Sequence, residues 1–164
     1  MKCVLCSLLT AAMILFSGVC RADIGEGYFL KLGGSLNEPS LLTNKMLAAG
    51  VQRHLLGVFD YQLELGTFVD NSKPNDWQTV WGAAQIGLSI VNPGYYIKVF
   101  SGPAYVSKTD DHLSTPFEFT EDLEIGFVDK RGVGIGFGYK HFSNAGIQQP
   151  NLGRDFLFFK VMLP

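Results

Sequence analysis

The stretch Gly132-Val133-Gly134-Ile135-Gly136-Phe137-Gly138-Tyr139 puts a glycine at every even position and a bulky apolar side chain at every odd one. A period of two belongs to a β-strand, whose successive side chains point to opposite faces of the sheet. One face of this strand therefore carries no side chains, and the other is a continuous apolar row. In a small eight-stranded barrel the interior is crowded, so the glycines are expected to face in and Val133, Ile135, Phe137 and Tyr139 to face out. An outward apolar row needs lipid around it. This favours a transmembrane barrel over a soluble lipocalin-like barrel, whose apolar face points inward.

The rest of the chain supports the same architecture. Candidate strands run over Gly27 to Leu36, Ala48 to Phe59, Tyr61 to Val69, Thr79 to Val91, Tyr95 to Ser107, Phe117 to Val128, Gly132 to Ser143 and Asp155 to Leu163. Tight turns are expected at Asp60, Asn92-Pro93-Gly94 and Asp129-Lys130-Arg131. Longer loops are expected at Asn37 to Lys45, Asp70 to Gln78, Lys108 to Pro116 and Asn144 to Arg154. Short and long connections alternate, as in an eight-stranded antiparallel up-and-down transmembrane β-barrel with short periplasmic turns and longer outer loops. In the last strand Leu157, Phe159, Val161 and Leu163 form one row and Phe156, Phe158, Lys160 and Met162 the other. Lys160 marks the second row as inward, because a lysine on the lipid face at mid-depth costs roughly 2–4 kcal/mol.

Residues 1–22 read as a signal peptide, with Lys2, the apolar run Val4 to Phe16, and small residues Cys20 and Ala22 at the cleavage-determining positions. The barrel is expected to occupy 23–164. Cys3, Cys6 and Cys20 leave with the signal, so the mature chain is expected to hold neither a disulfide nor a Cys-ligated metal. It keeps eleven basic residues against fifteen acidic ones, a balance that argues against a nucleic-acid partner. Beyond the signal no apolar run reaches about 18 residues, so a membrane role must come from strands.

Several polar and aromatic groups have plain readings. Trp77, Trp81, Tyr95 and Tyr96 lie at strand ends and suit an interfacial aromatic girdle. His54 is read as a rim or lumen residue, and Asp110-Asp111-His112 as a solvated loop. Lys108 and Arg154, on the outer side, are candidates to attract lipid phosphates. The glycine run at 132–138 has no helix after it and does not match a dinucleotide-binding turn.

His141 and Ser143 continue the odd row past Tyr139, so both are expected to face outward at the outer end of strand seven. Asp155, in the row of Leu157, opens strand eight at the same corner. A hydroxyl, an imidazole and a carboxylate are the parts of an acyl-transfer site, with the serine attacking, the histidine carrying the proton and the acid fixing the imidazole. Donors from the Asn- and Gly-rich loop could hold an oxyanion. Taken alone, a His and a Ser at a barrel rim also suit ordinary interfacial residues.

Taken together, H-F-S-N-A-G-I-Q-Q-P-N-L-G-R-D, residues 141–155, resembles the signature of the PagL family, the outer-membrane lipid A 3-O-deacylases: His-x-Ser-Asn, then Ala-Gly, then Pro-Asn-x-Gly, then an acidic residue opening the last strand. The resemblance implies Ser143 as nucleophile, His141 as general base and then acid, and Asp155 as the orienting carboxylate. Asn144, Gly146 and Asn151 fall where the family places structural or oxyanion-hole groups, with Asn151 the first choice for a side-chain donor. Where the family typically has glutamate, this chain has Asp155, one methylene shorter. The implied reaction is hydrolysis of the ester holding the 3-hydroxyacyl chain at position 3 of lipid A, with no metal or cofactor. Lipopolysaccharide is the implied substrate, outer-membrane lipids surround an integral outer-membrane protein, and a homodimer is left open. The alternative is a catalytically inactive, structural or adhesive barrel in which Asp155 marks lost activity.

Overall fold

The computed structural model describes residues 25–37, 44–70, 78–92 and 94–164. The expected signal peptide and Trp77 lie outside them. Eight strands follow in chain order: β1 (Gly27–Ser35), β2 (Asn44–Leu56), β3 (Phe59–Asp70), β4 (Gln78–Asn92), β5 (Tyr95–Val106), β6 (Phe117–Val128), β7 (Gly134–Ser143) and β8 (Arg154–Leu163). Each pairs antiparallel with the next, and β1 pairs with β8, so the sheet closes into a barrel without edges. The up-and-down barrel expected from the sequence is the one observed.

Side-chain alternation divides inside from outside as the glycine row implied. In β7, Gly134, Gly136 and Gly138 face in while Ile135 and Phe137 stand exposed. The glycines are required by inward side chains of nearby strands. A Cβ on Gly136 would lie 2.1 Å from the Tyr96 hydroxyl, and one on Gly138 2.3 Å from the Phe158 ring. In β8, Phe156, Phe158, Lys160 and Met162 are buried and Phe159 and Leu163 are exposed, so Lys160 points inward. The exterior carries Leu30, Leu63, Ile86, Val99, Ile125 and Phe137 around the circumference, a belt suited to hydrocarbon.

The lumen is filled in three layers. At the loop end, Phe68 stacks on Trp81 and Phe156, with Phe142 packed edge-on. At the turn end, Phe29, Tyr96, Val128 and Met162 close the barrel. Between them lies a charged belt. Lys31 meets Asp122 at 2.5 Å and Glu124 at 2.9 Å; Lys140 meets Asp122 at 2.7 Å and Glu64 at 2.8 Å; Lys160 meets Glu124 at 2.7 Å. Three ammonium groups face three carboxylates, so the buried belt balances its own charge.

Several expectations are corrected. Trp81 and Tyr96 are buried in the lumen and do not form an interfacial girdle; Tyr95 alone of the described three is outward. Tyr95 and Tyr96 are neighbours in one strand, so they cannot share a face. Asp60 is no turn residue: the turn is Gly57-Val58, with Gly57 at φ 61°, and Asp60 lies buried in β3, accepting from Gln52 at 3.1 Å. Gly132 belongs to the β6–β7 turn at φ 84°, so β7 begins two residues later than its pattern suggests. His54 lies half-buried on the turn side, 3.3 Å from Asp60.

Candidate active site

The site residues take their positions from inward anchors on either side of them. Phe142, fully buried between His141 and Ser143 in sequence, fixes the end of β7, and Phe156 fixes the start of β8 beside Asp155. Alternation then turns His141, Ser143 and Asp155 to the outer face. The register of β7 with β8 sets His141 directly opposite Asp155, and imidazole Nδ1 lies 2.7 Å from Oδ1 of the carboxylate. The shorter acid thus reaches the ring. An ionised carboxylate only accepts, so Nδ1 carries the proton and the Nε2 lone pair is left free. The two side chains are 29% and 24% exposed, which leaves the pair open on the outer face.

Ser143 lies two residues along the same face, opposite Phe119 of β6. Among the described residues no hydrogen bond joins its hydroxyl to His141. Such bonds often tighten only when substrate arrives. Phe117 and Phe119 of β6 and Ile147 and Leu152 of the following loop are exposed apolar side chains, while Glu121 of β6 stands opposite His141. From Leu157, next to Asp155 in the outward row, a shallow groove of about 570 Å³ runs over Leu32, Gly34, Leu47 and Phe159 on the barrel wall.

The loop 144–153 is a folded bracket. Asn144 is fully buried; its Nδ2 donates to the Ser114 hydroxyl and to the Gln148 carbonyl, both at 2.9 Å, while its Oδ1 accepts from the Gly146 amide at 2.9 Å. All of these donors are used within the loop and its contact with Ser114. Gly146 takes φ 80°, a conformation that suits a residue without Cβ. Asn151 Oδ1 accepts the Asn144 amide at 3.2 Å, which brings the Asn151 side chain beside the residue that follows Ser143.

The loop between β5 and β6 holds this bracket down. Gly153 N–H donates to the His112 carbonyl at 3.0 Å, and His112 Nδ1 donates to the Gly153 carbonyl at 3.0 Å. Asp110 accepts the His112 and Leu113 amides and pairs with Arg154, while Leu113 plugs the aromatic end of the lumen. Burial raises the Asp110 carboxyl, but the Leu113 amide and the Arg154 guanidinium outweigh it and hold it below the usual carboxylate range. Asp110 and His112 are thus part of a built cap, contrary to the solvated loop expected, while Asp111 between them is exposed. Arg154 is also corrected: it shares the inward row of Phe156 and is buried against Asp110, so it does not reach outward to lipid phosphates.

Sequence reasoning missed three residues at this corner. Tyr139 donates its hydroxyl to Asp155 Oδ1, and Asn37 Nδ2 donates to Asp155 Oδ2 at 3.0 Å. Gly153, at φ 72°, packs under the imidazole, and a Cβ there would stand 2.9 Å from His141 Cε1. Tyr139 was legible by parity, two residues before His141 in the same row. Asn37, 118 residues from Asp155, left no local signal. Gly153→Ala is therefore expected to push the ring off Asp155 and cut turnover by on the order of 10²-fold, since displacements near 1 Å cost that much. Initial rates on barrels that stay folded by heat-modifiability would check this, and an unchanged rate would remove Gly153 from the site.

Comparisons with known proteins give a family and a fold. A family model described as lipid A 3-O-deacylase (PagL) matches residues 35–164. The lipid A deacylase PagL of Bordetella bronchiseptica (strain ATCC BAA-588 / NCTC 13252 / RB50) is 36% identical over 81 residues, which cover 46% of this chain and 46% of that protein. The match thus spans about half the length of that relative. Among solved structures, the crystal structure of the outer membrane enzyme PagL superposes with a TM-score of 0.63 at 16% identity, covering 84% of this chain and 98% of that one. A de novo designed transmembrane β-barrel superposes with a TM-score of 0.53 at 12% identity, covering 86% and 97%.

Proposed function

Because the chain belongs to the lipid A 3-O-deacylase (PagL) family, we propose that it is a serine esterase of the outer membrane that removes the 3-hydroxyacyl chain ester-linked at position 3 of lipid A. The observation that carries this reading is the His141–Asp155 pair at 2.7 Å on the lipid-facing side of the rim, with Ser143 next in the same row. His141 Nε2 takes the proton of the Ser143 hydroxyl as the oxygen attacks the ester carbonyl. Asp155 stabilises the imidazolium that forms. Asn151, whose side chain accepts the amide of the residue after Ser143, is the side-chain donor for the oxyanion. Collapse of the tetrahedral intermediate expels the sugar hydroxyl, protonated by His141, and leaves an acyl-serine. A water molecule, activated by the same imidazole, then releases the 3-hydroxy fatty acid.

The apolar surroundings support a substrate that stays in the leaflet. Phe119 and Leu152 flank the site, and the wall groove below Asp155 offers an apolar path for an acyl chain. The ground for the inactive-barrel alternative was the short acid, and its direct reach to His141 weakens that ground. Mass spectrometry of lipid A after incubation with the detergent-refolded mature protein tests the reading. Loss of a single 3-hydroxyacyl chain, assigned to position 3 by tandem fragmentation, is expected. No loss, or loss from another position, would overturn it.

A further inference from the structure

The geometry points to Tyr139 and Asn37 as positioning residues that lock Asp155 against His141 and so let a short acid serve this site, an inference that rests on the deacylase reading above. Oδ1 of Asp155 accepts from both the Tyr139 hydroxyl and His141 Nδ1, while Oδ2 accepts from Asn37 Nδ2 at 3.0 Å. The backbone is held as well. The Asp155 amide donates to Asn37 Oδ1 at 2.5 Å, and the Leu36 amide donates to the Asp155 carbonyl at 2.8 Å.

Each holder is itself fixed by the fold. Asn37 lies two residues past the end of β1, and β1 pairs with β8 with Ser35 opposite Phe156, so closure of the barrel delivers Asn37 to Asp155. The fully buried Ser35 then accepts the Asn37 amide at 3.2 Å. Tyr139 stands opposite Leu157, one residue pair below His141 and Asp155 on the same face.

The physical need is to hold the orientation of the carboxylate. A carboxylate on a single methylene can rotate its oxygens out of line with the ring, and each such rotation leaves the imidazole without its acceptor. Donors on both oxygens stop that rotation. Neither Tyr139 nor Asn37 touches the reacting atoms, so both act through Asp155. Glu121 of β6 faces His141 from the opposite side in the register.

Tyr139→Phe and Asn37→Ala are each expected to lower kcat by roughly tenfold with KM unchanged, the scale of lost outer-shell support. Asn37→Asp, the same shape with an acceptor where a donor stood, is expected to lose more than Asn37→Ala. In an Asp155→Ala background, Tyr139→Phe is expected to cause no further loss, whereas a purely structural tyrosine would lower either background alike. Single variants at wild-type kcat would overturn the proposal, as would equal losses with and without Asp155. A measurement independent of turnover separates this proposal from the one beneath it. The His141 Nδ1–H proton, read by NMR of the imidazole-labelled barrel, is expected at low field in the wild type and broadened in Tyr139→Phe and Asn37→Ala. A sharp proton in both variants would overturn the clamp, whatever happens to lipid A. Broadening in both variants, of a barrel whose wild type does not act on lipid A, would uphold the clamp and reject the deacylase reading.

Discussion

Replacing Ser143 with alanine is expected to lower kcat on lipid A by on the order of 10⁵-fold or more, the scale of removing the nucleophile of a serine hydrolase. The argument is local. Ser143 is the last residue of β7, and its hydroxyl shares the outer face with the His141–Asp155 pair. Removing one oxygen there leaves the barrel untouched, because the inward anchors Phe142 and Phe156 carry the packing. The variant should therefore fold, remain heat-modifiable and bind lipopolysaccharide as the wild type does. Initial rates of fatty-acid release provide the check. A variant that keeps full activity would place the nucleophile elsewhere.

The largest effect on stability is expected at Asp122. Its carboxylate accepts from Lys31 at 2.5 Å, Lys140 at 2.7 Å and Gln62 at 3.0 Å, all buried, and it sits at the centre of the lumen belt. Asp122→Ala leaves three lysines facing two carboxylates in a space closed at both ends by aromatic side chains. Breaking a buried pair by removing one partner costs about 3–5 kcal/mol, because the remaining charge stays buried without compensation. Asp122→Asn keeps the shape and part of the hydrogen bonding, so it should fall between alanine and wild type. Urea titration of the barrel in detergent would read the loss. Asp111→Ala, an exposed loop change, serves as the control and should shift the midpoint little. An Asp122→Ala midpoint equal to that of the control would show that the belt is solvated and not a closed ion network.

Much of this architecture was legible because a strand has only two faces. The glycines of β7 and Lys160 of β8 sufficed to tell inside from outside. The misreadings came where position along a strand was preferred to parity. Trp81 was assigned to a girdle by its place near a strand end, although it shares its row with Thr79 and Ala83, both of which face the lumen. Gly66 makes room for it: a Cβ there would stand 2.4 Å from the indole. Arg154 is expected in the outer loop but opens β8 as its first residue, and as the neighbour of the outward Asp155 it must face in.

The site was legible in part for a different reason. His141, Ser143 and Asp155 lie close in sequence on paired strands joined by one loop, so spacing alone brought them to one corner. What holds that corner comes from further away. Asn37 arrives only because β1 closes on β8, and His112 and Ser114 arrive only because the β5–β6 loop folds over the β7–β8 loop. Pairings of that kind depend on closure of the whole barrel and leave no trace in any short window of sequence.

The central claim is that Ser143 is an activated nucleophile facing the leaflet. The most direct measurement is covalent labelling of the detergent-refolded barrel with a long-chain alkyl fluorophosphonate, in which the serine oxygen attacks phosphorus and fluoride leaves. The account predicts a single adduct by intact mass, mapped to the peptide carrying Ser143, absent in Ser143→Ala and strongly slowed in His141→Ala. A folded wild-type barrel that takes no label, or takes it equally well without Ser143, would contradict it.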